Sequence, residues 1–254
     1  MNESEIRRIL VNKGLELFEA PRTFHDFTGE PEADRLLNDI DRRPHAFVLA
    51  CVMDRQMKAE LAWLIPYRYM VKLGDFEFST LQGLTLEQIE GLMMKPEPLH
   101  RFPSRMSENF YQAVKLLETR YDGDASRIWE GEPSSATVVY RFLKFKGVGP
   151  KIATMAANIL ARDFKVPFSD YYSIDVSPDV HVRRVFVRLG LTDPHPTVEQ
   201  IIYRARALHP QFPGLLDLPA WEIGRNWCKA RRLECLECYM SEVCPTFAQK
   251  RRGS

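Results

Sequence analysis

Two stretches of the sequence hold residues that can do chemistry. The first is KGVGPKIATMAANIL, residues 146–160. Gly147, Val148 and Gly149 make a tight bend, Pro150 suits the first position of a helix, and Lys151 falls in the first helical turn. Glycine permits positive φ and lets another backbone come close. Amide N–H groups at such a bend and helix start point outward and can receive a phosphate oxygen. Lys144, Lys146, Arg162 and Lys165 make the flanks basic. A helix start disfavours a cation, and a neutral amine is what nucleophilic catalysis needs. A solvated lysine gripping a phosphate fits the same pattern, so the bend alone leaves both roles open.

The second stretch is GRNWCKARRLECLECYMSEVC. It brings Cys228, Cys235, Cys238 and Cys244 within 17 residues, while Cys51 stands alone in an apolar run. Thiols packed so closely point to a metal site rather than to disulfides. Zinc sites commonly pair two short hooks, and only Cys235–Cys238 makes one here. A third feature is Asp179, opening PDVHVRRVFVRLG. A carboxylate beside a nucleophilic amine can stabilise positive charge growing on a sugar ring, or move a proton. A carboxylate at a helix start is also an ordinary cap.

Helices must position these groups, because apolar residues recur at helical spacing almost throughout and strand alternation is nearly absent. MNESEIRRILVNKG reads as an amphipathic helix. Residues 44–74 read as one or two helices, and Thr85 with Gln88 has the capping-box pattern. RMSENFYQAVKLLETRYDG stops near Gly123. SSATVVYRFLKF leads into the bend, and PKIATMAANILARDF follows it. Ser177-Pro178 starts a further helix, and TVEQIIYRARALHP and LPAWEIGRNWCKA complete the series. Residues 163–179 form the main irregular segment. The fold class is therefore all-α.

Composition narrows the rest. The 254 residues carry a net charge of +1, so any basic surface is local. No apolar run approaches the roughly 20 residues of a membrane helix, and no signal-peptide pattern is present. The expectation is a cytoplasmic protein, associated with the nucleoid if prokaryotic.

FKGVGPKIA followed by PDVHVRRVFVRLG resembles the helix-hairpin-helix DNA glycosylases of the endonuclease III superfamily. There a hairpin LPGVGxKxA carries a nucleophilic lysine and a downstream VDxHxxRv carries a catalytic aspartate. The resemblance gives Lys151 and Asp179 those roles, with His181 and Arg184 continuing the second motif. The cysteine spacing C-x6-C-x2-C-x5-C resembles the loop that holds a [4Fe–4S] cluster in the endonuclease III branch, here through Cys228, Cys235, Cys238 and Cys244. FVLACVMDRQMKAELAW resembles the family's LLSAQATD helix, whose glutamine fills the gap left by an extruded nucleotide. Gln56 falls on that position. Arg101 and Phe102 match the tip of a loop that wedges the opposite strand, although Phe102 is equally suited to a core.

The resemblance spans about residues 30–245 and implies two helical domains with a DNA cleft between them. Residues 36–165 would form a barrel-like domain carrying the hairpin, at about 137–161. Residues 1–35 and 166–254 would form the iron–sulfur domain. The implied protein is a monomer acting on double-stranded DNA with a base lesion. It would contact DNA through Lys146, Gly147, Val148, Gly149, Gln56, Arg101, Phe102, Arg231 and Arg232. The implied activity is a glycosylase with abasic-site lyase chemistry, the alternative being a monofunctional glycosylase that activates water. The sequence also departs from the family. Phe145-Lys146 replaces the usual Leu-Pro, Asp54-Arg55 replaces a small pair, and residues 163–178 are expanded. Pro178 replaces a common valine, which leaves Asp175 a rival to Asp179.

Overall fold

The computed structural model describes residues 3–252; Met1, Asn2, Gly253 and Ser254, at the ends of the two outermost predicted segments, lie outside the described residues. The helices are α1 (Glu3–Glu19), α2 (Pro31–Asn38), α3 (Pro44–Met53), α4 (Ala59–Trp63), α5 (Ile65–Leu73), α6 (Phe78–Gln82), α7 (Leu86–Met94), α8 (Pro103–Tyr121), α9 (Ser135–Phe142), α10 (Pro150–Arg162), α11 (Val180–Arg188), α12 (Val198–Leu208), α13 (Asp217–Asn226) and α14 (Pro245–Arg252). Three short 3-10 turns join them. Among the described residues there is no strand, only a backbone bridge between Cys228 and Leu233. The chain is all-α, as its spacing predicts.

Two cores organise these helices. The larger is built around α3, whose residues Ala46–Met53 are wholly buried, with α2, α5, α8 and α10 packed about it. A helix apolar on every side has to be surrounded. The smaller core joins Ile6 and Leu10 of α1 to α11, α12 and α13. Residues 163–179 run along the seam without regular structure. Tyr171 stacks on Phe212 with centroids 5.0 Å apart and meets the edge of Phe18 at 5.3 Å. Tyr172, beside it, is exposed.

Helix ends follow local chemistry. Thr85 and Gln88 form their capping box, and Thr197 with Gln200 form a second one. Two of the predicted elements differ. Residues 44–74 form three helices, because the Arg55 amide turns back to the Met53 carbonyl at 2.7 Å and Gln56 has φ of 52°. The helix expected to begin at Ser177-Pro178 begins two residues later. Asp179 is its cap, and one oxygen, Oδ1, accepts the His181 and Val182 amides at 2.8 Å each.

Gly224 lets α13 come close to α11. A Cβ on it would sit 2.8 Å from the His181 Cβ and 3.1 Å from the His181 carbonyl oxygen. The Gly224→Ala substitution gains about 1 kcal/mol of helix propensity, but overpacking at such a contact costs about 1–3 kcal/mol. We expect net destabilisation, read as a lower urea midpoint at unchanged slope.

Candidate functional site

The bend between α9 and α10 is pinned from below by Phe145 and Val148, both buried. Gly147 has φ of 87°, and a Cβ there would lie 2.5 Å from Asn109 Nδ2 and 2.7 Å from Arg55 Nη1. Only glycine fits that conformation in that space. Arg55 Nη1 donates to the Gly147 carbonyl at 2.5 Å. Buried His100 in turn reaches the Arg55 carbonyl through Nε2 at 2.9 Å, while its Nδ1 accepts the Phe102 amide at 3.0 Å. That pairing fixes the tautomer with the proton on Nε2, and burial holds the ring's proton affinity below the ordinary histidine value.

One relay thus ties the segments at 55–56, 100–102 and 147. Gln56 stands exposed beside Arg55, and Arg101 lies over the Phe102 ring at 5.4 Å. Phe102 is 39% exposed, at the surface and not in the core. Lys146 is exposed and ion-paired with Glu108. Gly149 has open space where a side chain would be. Sequence reasoning named Gln56, Arg101, Phe102 and the bend. It missed Arg55 and His100, whose roles appear only when distant segments meet.

Lys151 is exposed on the first turn of α10. Its charge acts on Asp54 at the end of α3 and on Asp217 in the first turn of α13. Asp179 acts on Asp217 as well. Burial pushes the Asp217 carboxyl up to about 7 against the Ser177 amide bond and the charges of Arg162 and Lys151, which favour ionisation. Burial also raises Asp54, opposed by Lys151 and by a hydrogen bond from Trp63. The Asp217 Oδ1 accepts the Ser177 amide at 2.6 Å, and the Ser177 carbonyl accepts the Asp179 amide at 2.6 Å. Asp217 therefore holds the backbone that presents Asp179. Asp175 is engaged elsewhere, gripped by both ends of the Arg206 guanidinium at 2.7 and 2.8 Å. Asp217 was not singled out by sequence reasoning, since nothing local separates it from a helix-start acid.

The four cysteines of the C-terminal loop line one cavity of about 20 Å³, together with Arg188, Trp227 and Met240. Burial raises the Cys238 thiol to about 11, and Cys228, Cys244 and Cys235 add to the rise. The sulfurs are thus near enough to feel one another. Among the described residues, no three His, Cys, Asp or Glu groups converge closely enough to hold a single metal ion. Arg188 Nη1 donates to Cys228 Sγ at 3.3 Å, and Arg184 Nε donates to the Cys228 carbonyl at 2.6 Å. Arg231 and Arg232 are exposed on the same loop, with Arg232 ion-paired to Glu234 at 3.1 Å. Cys51 is remote from the loop in sequence and wholly buried in α3, which raises its thiol well above the ordinary value.

No family model matches the chain, and neither does any curated protein sequence. Solved structures do match. Endonuclease III in a trapped covalent intermediate with DNA has a TM-score of 0.62 and 18% identity, over 99% of this chain and 100% of that one. A thermostable thymine-DNA glycosylase gives 0.63 and 16%, over 98% and 100%. The 8-oxoguanine DNA glycosylase of Methanocaldococcus jannaschii gives 0.51 and 16%, over 89% and 96%. The chain has the fold of the helix-hairpin-helix DNA glycosylases.

The raised Asp217 makes stability depend on pH. Its folded value of about 7 lies above the ordinary carboxylate value of about 3.9. Between these limits the folded chain keeps a proton that the unfolded chain has released. The stability from this group is full below the lower limit and is lost as pH rises through the upper one. Urea unfolding across about pH 4.5 to 7.5 should show Asp217→Asn gaining on the wild type as pH rises.

Proposed function

We propose that the protein is a base-excision DNA glycosylase with an associated abasic-site lyase activity. The observation that carries this reading is the glycine hairpin that opens α10 at Lys151, in a chain with the glycosylase fold whose α11 is capped by Asp179. The fold likeness to glycosylases, one of them caught as a covalent intermediate with DNA, supports it.

In this reading the amides of Gly147, Val148 and Gly149 receive a backbone phosphate. Lys146 assists, since its exposed ion pair with Glu108 holds it only weakly. Arg231 and Arg232 add backbone contacts from the cysteine loop. The lesion nucleotide turns out of the duplex at a cost of a few kcal/mol. Gln56 fills the gap, and Arg101 with Phe102 wedges the facing strand. The relay from Phe102 through His100 and Arg55 to Gly147 would keep these parts in register.

Lys151 Nζ then attacks C1′ of the deoxyribose. The glycosidic bond breaks, and the base leaves with its electron pair. Asp179 supports the positive charge that grows on the sugar. The ring opens to a Schiff base on Lys151. Loss of a C2′ proton then expels the 3′ phosphate and nicks the strand. Without the Schiff base, the same fold would serve a monofunctional glycosylase.

We assign Cys228, Cys235, Cys238 and Cys244 to a [4Fe–4S] cluster. A zinc ion with Zn–S bonds of about 2.3 Å needs tetrahedral sulfurs about 3.8 Å apart. The sequence offers only one short hook, Cys235–Cys238, where zinc sites commonly pair two, so the C-x6-C-x2-C-x5-C spacing suits a cluster better. When bound, the cluster would cross-link the loop and hold Arg231 and Arg232 in place. The domains we propose are residues 36–165 and residues 1–35 with 166–254, with the DNA cleft between them. The enzyme would act as a monomer on lesion-bearing duplex DNA.

Borohydride should trap the wild type covalently on abasic-site DNA, and Lys151→Ala should lose at least about a hundredfold of that trapping, the scale on which nucleophiles act. Release of free base without trapping would favour the monofunctional reading. Asp179→Asn should lose base excision by about a hundredfold while retaining DNA binding, measured by single-turnover assay and anisotropy. Cys235→Ser should lower bound iron and visible absorption, measured on the purified protein.

A further inference from the structure

His100 is 3% exposed, and both of its ring nitrogens engage main-chain groups of the two segments assigned above to the gap and the wedge. Nε2–H donates to the Arg55 carbonyl at 2.9 Å. That carbonyl belongs to the peptide joining Arg55 to Gln56, so the bond fixes the plane from which Gln56 takes its φ of 52°. A residue other than glycine holds such a left-handed conformation only where its surroundings impose it. The Arg55 side chain closes the other side, donating through Nη1 to the Gly147 carbonyl at 2.5 Å. On the opposite edge of the imidazole, Nδ1 accepts the Phe102 amide at 3.0 Å. The Phe102 carbonyl accepts the Met106 amide at 3.0 Å and so begins α8. Phe102 is thus gripped on both main-chain sides while its ring stays at the surface.

We propose that His100 is a positioning residue that presents Gln56 and Phe102 to the DNA together, and does so only while its ring is neutral. The proposal rests on the DNA-glycosylase reading above and adds the device that sets these two residues and the condition under which it lets go.

The tautomer carries that condition. A carbonyl only accepts and an amide N–H only donates, so the ring has its proton on Nε2 and a lone pair on Nδ1. A second proton can bind only at Nδ1, where it would face the Phe102 N–H, donor against donor. The Phe102 bond would break, and a cation would stand beside Arg55, the charged group that acts on the ring from the turn after α3. The main chain of Met53, at the end of α3, and that of Arg55 favour the proton. Arg101, on the ring's own loop, lies over Phe102 at 5.4 Å. Burial outweighs the main-chain groups, and the Arg55 charge adds to it, so proton affinity stays below the ordinary histidine value. The device is therefore set at neutral pH and released in acid.

Two substitutions separate the halves of the relay. Asparagine carries an amide oxygen near the place of Nδ1, so His100→Asn keeps an acceptor for the Phe102 amide, takes no proton and lets go of the Arg55 carbonyl. Glutamine carries an amide N–H near the place of Nε2, so His100→Gln keeps the Arg55 bond and loses the one to Phe102.

The test uses duplex DNA with a tetrahydrofuran abasic analogue and 2-aminopurine in the facing strand, whose fluorescence rises when it is unstacked. At protein saturation, set by anisotropy, the wild type should give a rise at pH 7.5 that falls at least about threefold toward pH 5 as the ring charges. His100→Asn should keep its rise at both pH values. His100→Gln should stay at least about threefold below the wild type at pH 7.5 and change little with acid. Gln56→Ala should weaken binding of the same duplex about tenfold in the wild type but less than about threefold in His100→Asn, where the Arg55 carbonyl is free. Circular dichroism at each pH should confirm that the variants are folded. An acid fall in His100→Asn equal to that of the wild type would place the titrating group elsewhere and overturn the proposal. A full rise in His100→Gln, or equal Gln56→Ala losses in the two backgrounds, would overturn it as well. A wild type that is trapped by borohydride on abasic-site DNA but gives no fluorescence rise refutes this proposal alone. One that neither binds nor is trapped defeats the reading beneath it, and this proposal with it.

Discussion

The close approach of α11 and α13 is the constraint on which the site depends. The two helices run in the same direction, as their contacts show in sequence order. Ser177 meets Asp217, His181 meets Gly224, and Arg184 meets Cys228. One end of the pair therefore presents Asp179 and Asp217, and the other end carries the cysteine loop. A side chain at position 224 would part the helices at their midpoint. The carboxyl group and the thiols are two ends of one packed unit, and neither can shift without the other.

A second unit carries the hairpin. It hangs on α3, which is buried on every side and cannot move without disturbing the larger core. The turn after α3 sends Arg55 to the hairpin and exposes Gln56. A single histidine passes the same restraint on to the loop at Phe102. Lys151 belongs to this unit through α10, whereas Asp179 and Asp217 belong to the other. The candidate site lies where the two cores meet, along the irregular segment whose aromatic residues pack against α1.

Much of this was legible in the sequence because it is local. Capping pairs, the glycine bend, the helical period and the close spacing of the cysteines each act over a few residues. That residues 44–74 break into one or two helices was legible, but the place of the break after α3 was not, because apolar periodicity runs on through Met57 and Leu61 while the backbone turns. The start of α11 was misplaced because Ser177-Pro178 offers an equally good local start, whereas in the structure Asp179 caps the helix through the His181 and Val182 amides. His100, Arg55 and Asp217 matter through partners 45, 92 and 40 residues away respectively. No short pattern marks such residues. Tertiary contact, not propensity, assigns their work.

Three helices, α10, α11 and α13, begin at or beside Lys151, Asp179 and Asp217 respectively, so each of these groups lies at the positive end of a row of peptide dipoles. These fixed backbone fields favour acidic side chains such as Asp179 and Asp217 at the helix starts. Such a field is rooted in the main chain and sheltered by protein, so dissolved ions weaken it little. The exposed lysines and arginines that would grip a polyanion enjoy no such shelter. Raising ionic strength should therefore loosen the hold on the strand long before it alters the balance of charge around the amine.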